Sequence, residues 1–142
     1  MVAYFAYGSN MDRMQMADRC PDSVVVGPAT LPDHAFRIAT GGYATVVPSP
    51  SDAVHGVLWH LPETDEASLD AYEDLASDFY RKIECEVTDG DGVRRPAMLY
   101  VASDPTPGRP VPGYQEKVVA AAIEHGFPAP YVGQLSGWIP PR

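Results

Sequence analysis

The first apolar run, residues 2–7, is aromatic-rich and breaks at Gly8-Ser9-Asn10, which predicts a buried strand entering a tight turn. A helix is expected next. Asn10 is a suitable N-cap, Asp12 favours the positive helix end, and Met11, Met14 and Ala17 or Cys20 form a rough apolar stripe before Pro21. Residues 24–38 are interrupted by Gly27-Pro28 and Pro32-Asp33, so two short strands with a kink are predicted. Residues 43–47 and 54–61 read as further strands separated by the turn-rich Pro48-Ser49-Pro50-Ser51-Asp52. Thr64 can cap a second helix, with Asp65 and Glu66 in its first turn and Leu69, Tyr72 and Ala76 at helical spacing toward the core. From Tyr80 onward, Ile83, Cys85 and Val87 alternate with Lys82, Glu84, Glu86 and Thr88, so one face of that strand is buried and the other wet. Asp89-Gly90-Asp91-Gly92 supplies a turn and residues 93–102 return, completing a hairpin. The proline-rich stretch 104–113 is a loop, and 114–125 is a helix closed by Gly126 with Pro128 beyond. Tyr131, Leu135, Trp138 and Ile139 make the tail too apolar to hang free, so it is expected to pack back.

Two long helices amid about six mostly antiparallel strands, without strand–helix alternation, predict an α+β fold with a curved sheet or small barrel. The 142 residues suit one domain spanning 1–142. Hydrophobic residues make up 45% of the chain and charged residues 20%, which excludes disordered and fibrous classes. The net charge of −9 disfavours nucleic acid and anionic membrane surfaces as partners and leaves small solutes or proteins. Residues 118–123 form the longest aliphatic stretch, far short of a membrane span, and residues 1–10 carry no export pattern, so a cytoplasmic location is expected. Cys20 and Cys85 alone cannot form a disulfide framework.

Two positions invite a chemical reading. Tyr7-Gly8-Ser9-Asn10 turns a strand into a helix, which presents free N–H groups to an anion, although a plain turn capped by Asn10 explains the same residues. Glu73 sits beside Tyr72 and one turn after Leu69, at the edge of the core-facing stripe. A desolvated carboxylate there would shuttle a proton near neutral pH, whereas a small rotation of the helix would place Glu73 with Glu66, Asp70 and Asp74 on a solvated acidic face. The four histidines lack metal-ligand spacing, neither cysteine has a Cys-x-x-Cys partner, and no phosphate-binding glycine motif occurs, so neither a metal site, nor a thiol nucleophile, nor a nucleotide cofactor is expected.

In combination these segments resemble the γ-glutamylcyclotransferase family: Tyr4-Phe5-Ala6-Tyr7-Gly8-Ser9-Asn10, Gly42-Tyr43-Ala44-Thr45, Val54-His55-Gly56-Val57-Leu58-Trp59, Leu69-Asp70-Ala71-Tyr72-Glu73, then Tyr80 and Pro112-Gly113-Tyr114. The resemblance spans nearly the whole chain. It implies a small mixed, mostly antiparallel β-barrel with flanking helices and a cavity at one end. It also implies a cofactor-independent reaction on a small-molecule γ-glutamyl substrate, whose α-amino group attacks its own γ-carbonyl to release 5-oxoproline and a free amine. Carried over by position, Glu73 is the general acid/base, the segment from Tyr4 to Asn10 binds the glutamyl end, and Tyr80 and Tyr114 border the site. Asp74 departs from the glycine that often follows the family's acid. The alternative is a binding domain that keeps the fold without turnover, and a homodimer stays open. The loop 104–112 is expected to face the leaving amine, with Arg109 available to a carboxylate on it.

Overall fold

The structure, a computed structural model, describes residues 1–73 and 78–141. Five strands close a barrel in the order β1-β3-β2-β4-β5: β1 is Val2–Ala6, β2 Val24–Ile38, β3 Ala44–Leu61, β4 Tyr80–Asp89 and β5 Arg94–Ala102. All pairs are antiparallel except β1 with β5, where Tyr4 meets Met98 in parallel register and seals the barrel. Around it lie α1 (Arg13–Arg19), α2 (Glu63–Tyr72), α3 (Tyr114–Glu124) and α4 (Ala129–Ser136), with a 3-10 turn at Ser9–Met11. This is the mixed barrel with flanking helices that the sequence predicts. Among the described residues no helix is long and apolar enough to cross a membrane.

Two pairs of predicted strands are in fact single long ones. Gly27 and Asp33 do mark irregularities, but β2 and β3 run on through them as paired strands with register shifts at Val25/Gly27 and Pro32/His34. Asp33 and Ser51 take positive φ at the second shift and absorb the extra residues of the proline-rich segment as a bulge. Ladder pairing on both sides thus overrides the local turn signals. Tyr4 to Tyr7 and Ala97 to Ala102 are buried without alternation, as expected of strands covered on both faces. Phe5, Leu31, Val54, Leu58, Leu61 and Leu99 form the centre of the core.

Helix starts also differ from the expectation. Asp12, not Asn10, caps α1 by accepting the Gln15 backbone N–H at 3.1 Å, and Asn10 falls inside the preceding 3-10 turn. Met11, Met16 and Cys20 are buried, whereas Met14 is exposed. Pro62 rather than Thr64 precedes α2. Leu69 is buried as predicted, Tyr72 is exposed, and Ala76 lies outside the described residues. Buried Asp65 accepts the Asp22 N–H at 3.0 Å, which ties the start of α2 to the chain leaving α1. Lys82 on β4 bonds both Glu66 (2.7 Å) and Asp70 (3.1 Å), and the Tyr100 hydroxyl donates to Asp70 at 2.7 Å. These contacts clamp α2 along the barrel and so fix where its last residues fall.

Gly56 explains one of the signature segments in steric terms. A Cβ there would lie 2.5 Å from both the Ala6 carbonyl oxygen and Cζ of Phe5, so β1 can pass β3 only over a glycine. Gly56→Ala is expected to cost about 2–3 kcal/mol through forced shifts of packed atoms, read as a lower urea midpoint. An unchanged midpoint would refute this close approach.

Candidate active site

A cavity of about 690 Å³ opens at one end of the barrel, where the β1–α1 turn, the end of α2, the start of β4 and the start of α3 converge. Of the residues the sequence singles out, Tyr4, Tyr7, Gly8, Ser9, Asn10, Glu73, Tyr80 and Tyr114 line it. Phe5 and Ala6 are not among its lining residues: both are buried, with Phe5 and the Ala6 carbonyl packed at Gly56. Strand alternation accounts for Phe5, since it faces opposite to Tyr4. Arg109 is exposed and does not line the cavity, so the proposed reading of a carboxylate by Arg109 is not supported. From the same loop only Val111, Pro112 and Gly113 do. Asp74 falls outside the described residues.

The tyrosines are held by specific bonds. Asn10 donates from Nδ2 to the Tyr4 hydroxyl oxygen at 2.9 Å, while its Oδ1 accepts from Gln15 Nε2 (2.8 Å) and Arg19 Nη1 (3.0 Å). Asn10 therefore occupies an acceptor position of Tyr4 and leaves the phenolic proton free for another partner. Ala44 orients two further rings through its backbone. Its N–H donates to the Tyr114 hydroxyl at 3.3 Å, and its carbonyl accepts from the Tyr80 hydroxyl at 3.0 Å. That pairing gives the Gly42-Tyr43-Ala44-Thr45 segment a structural meaning, since Gly42 (φ 93°) makes the turn and buried Thr45 receives the Ala102 N–H at 2.9 Å. The Tyr7 hydroxyl donates to the Tyr100 carbonyl.

Gly8 stands against Tyr114. A Cβ at position 8 would lie 2.7 Å from the Tyr114 hydroxyl oxygen and 3.2 Å from the Ala44 Cβ. Its φ of −113° is open to other residues, so space rather than a positive φ requires glycine here.

Glu73 caps the C-terminus of α2 and is half-buried against the cavity. Burial pushes its carboxyl up to about 7, opposed by the Arg19 guanidinium. Burial, reinforced by the Glu73 charge, also holds Tyr4 well above the usual phenol value. Arg19, which the sequence reading missed, lies over the Tyr72 ring with Cζ 4.5 Å from its centroid and is bonded to Asn10. Lys117 and Gln15, also missed, line the same wall and bond each other. No periodicity signals these contacts, because Arg19 with Tyr72 and Lys117 with Gln15 join elements distant in the chain and Arg19 with Asn10 bridges two separate elements. Among the described residues the cavity thus combines the Glu73 carboxylate, raised toward neutrality, with phenols and the cations of Arg19 and Lys117. Neither cysteine lines it, and Cys20 is buried with its thiol pushed up to about 11. Among the described residues no cluster of His, Cys, Asp or Glu is arranged to hold a metal ion.

A family model described as the AIG2-like family matches residues 53–135. The γ-glutamylcyclotransferase of Mus musculus is 31% identical to this chain, over 93% of this chain and 76% of its own length. The chain belongs to the γ-glutamylcyclotransferase family. The Homo sapiens γ-glutamylcyclotransferase is 30% identical over the same shares of the two chains. A solved structure of a γ-glutamyl cyclotransferase superposes with a TM-score of 0.91 at 28% identity, covering 99% of this chain and 89% of that one. Tyr7, Gly8, Ser9, Asn10 and Glu73 stand together around one cavity.

Proposed function

We propose that this protein is a γ-glutamylcyclotransferase that converts a γ-glutamyl compound into 5-oxoproline and a free amine, with Glu73 as its general acid/base. The observation that carries the reading is a carboxyl group in the cavity wall with its titration raised to about 7. The substrate's α-ammonium is not nucleophilic, so the ionised Glu73 first removes a proton. The resulting amine attacks the γ-carbonyl carbon, forming the ring C–N bond and an oxyanion. As the oxyanion collapses, the bond to the leaving amine breaks and Glu73 returns the proton to that nitrogen, after which the regenerated carboxylate takes the surplus proton from the ring nitrogen and passes it to the released amine, which departs as an ammonium. One residue serves these transfers, and a pKa near the working pH lets it do so efficiently.

Ring closure is intramolecular, so binding a folded conformer supplies several kcal/mol of the barrier reduction. In this reading the Gly8–Asn10 turn and the Tyr4 hydroxyl, whose proton Asn10 leaves available, hold the glutamyl end and the developing oxyanion. Tyr80 and Tyr114 wall the site. Two unpaired cysteines fit a reducing cytoplasmic setting.

The pH dependence of 5-oxoproline release from γ-glutamyl-alanine tests the reading. A base that must be ionised loses activity as pH falls, so kcat/KM is expected to drop tenfold per pH unit below about 7 and to level off above it. A profile flat from about pH 5.5 to 8 would show that the base is not a carboxyl raised to near neutrality and would remove the observation on which the reading rests. Failure of a broad γ-glutamyl panel to yield any 5-oxoproline would return the chain to the non-catalytic binding class.

A further inference from the structure

A second cavity of about 240 Å³ adjoins the first. Tyr43, Phe79 and Tyr80 line both and form an aromatic wall shared by the two spaces. Tyr80 is fixed by its bond to the Ala44 carbonyl, and Tyr43 packs edge-on against Tyr114 with centroids 5.2 Å apart. Yet Tyr43 and Phe79 are 46% and 58% exposed. Two large aromatic side chains left in water at the junction of two cavities form an apolar surface that a ligand crossing from one to the other would cover.

The size and chemistry of the second cavity define what would enter. A cavity of about 150 Å³ accepts benzene, so 240 Å³ has room for a benzyl or isobutyl group. Ala39, Gly41 and Ala102 supply small walls, and the charged residues there are Asp78 and Asp104, the latter already bonded by Thr106. A carboxylate is repelled from such a space. The cations lie instead on the first cavity, as Arg19 and Lys117, so an amino-acid leaving group is expected to keep its carboxylate there and to send only its side chain past Phe79.

We propose that the second cavity is a subsite for the leaving group's side chain, and that this protein prefers γ-glutamyl conjugates whose amine carries a bulky apolar or aromatic group. The proposal rests on the cyclisation reading and extends it to the substrate class.

The test compares kcat/KM for γ-glutamyl-phenylalanine and γ-glutamyl-alanine in the wild type and in two variants that fill the subsite, Ser103→Trp and Gly41→Leu. Both positions are exposed and outside the catalytic cavity, so γ-glutamyl-alanine turnover serves as the control for correct folding. The wild type is expected to favour the phenylalanine substrate by about tenfold or more, and each filled variant to lose that preference while retaining alanine turnover. Cyclisation of γ-glutamyl-alanine with less than about a twofold preference for phenylalanine in the wild type would overturn the subsite and leave the cyclotransferase reading intact. A wild-type preference that both filled variants preserve would also overturn it. Absence of turnover on every γ-glutamyl compound would overturn both.

Discussion

Replacing Glu73 with glutamine is expected to lower kcat for 5-oxoproline release by about a thousandfold or more while the fold is retained. The amide matches the carboxylate in shape but cannot take the ammonium proton, and because the same group returns that proton to the leaving amine, both transfers fail together. The stability of the variant gives an independent check. Burial raises the Glu73 pKa from 4.5 to about 7, so the folded state pays to ionise it. That cost is absent below the unfolded pKa and grows as pH rises through the folded one. Glu73→Gln should therefore match the wild type near about pH 4 and exceed it by about 1–3 kcal/mol near pH 8, measured by urea unfolding. Undiminished turnover by a correctly folded variant would remove Glu73 from the mechanism. A stability gain equal at both pH values would show that its carboxyl is not desolvated.

Gly8→Val is the second large effect expected. The nearest atom to a Cβ at this position is the Tyr114 hydroxyl oxygen, at 2.7 Å, and the Tyr114 hydroxyl is itself bonded by the Ala44 N–H. Valine would push Tyr114 from its place or close the cavity where the glutamyl end binds, and its branched side chain has few rotamers with which to evade the contact. The expected result is a fall in kcat/KM of about a hundredfold, with far-UV circular dichroism unchanged. Gly8→Val combined with Tyr114→Phe, which deletes the obstructing oxygen, should recover part of the loss. A folded Gly8→Val variant with wild-type kcat and KM would locate substrate binding elsewhere.

Signals confined to a few consecutive residues survived folding well. The hairpin from Tyr80 to Ala102, the helix closed by Gly126 (φ 75°) and the return of Tyr131 and Leu135 to the core were legible because alternation, chain reversal and apolarity act over short spans. Prolines and glycines misled where a neighbouring strand supplied compensating hydrogen bonds. Residues 24–38 and 44–61 pair through their bulges because each ladder bond on either side favours continuation. The site was half legible. Glu73 and the turn from Tyr7 to Asn10 stand out through their resemblance to a family pattern, whereas periodicity left the helix rotation at Glu73 undetermined. That rotation is set by Asp65, Asp70 and Lys82, whose partners lie far along the chain. Arg19, Lys117 and the aromatic wall of Tyr43 and Phe79 carry no local signal, since their roles arise only when barrel closure brings the ends of separate elements to one mouth.

The most direct test of the central claim is the identity of the product formed from γ-glutamyl-alanine in H₂¹⁸O, read by mass spectrometry. Intramolecular attack by the α-amino group forms the ring without water, so the account predicts 5-oxoproline and alanine in equal amounts with no ¹⁸O in either. Glutamate carrying one ¹⁸O in its side-chain carboxyl would mean that water attacks the γ-carbonyl, and would contradict the account.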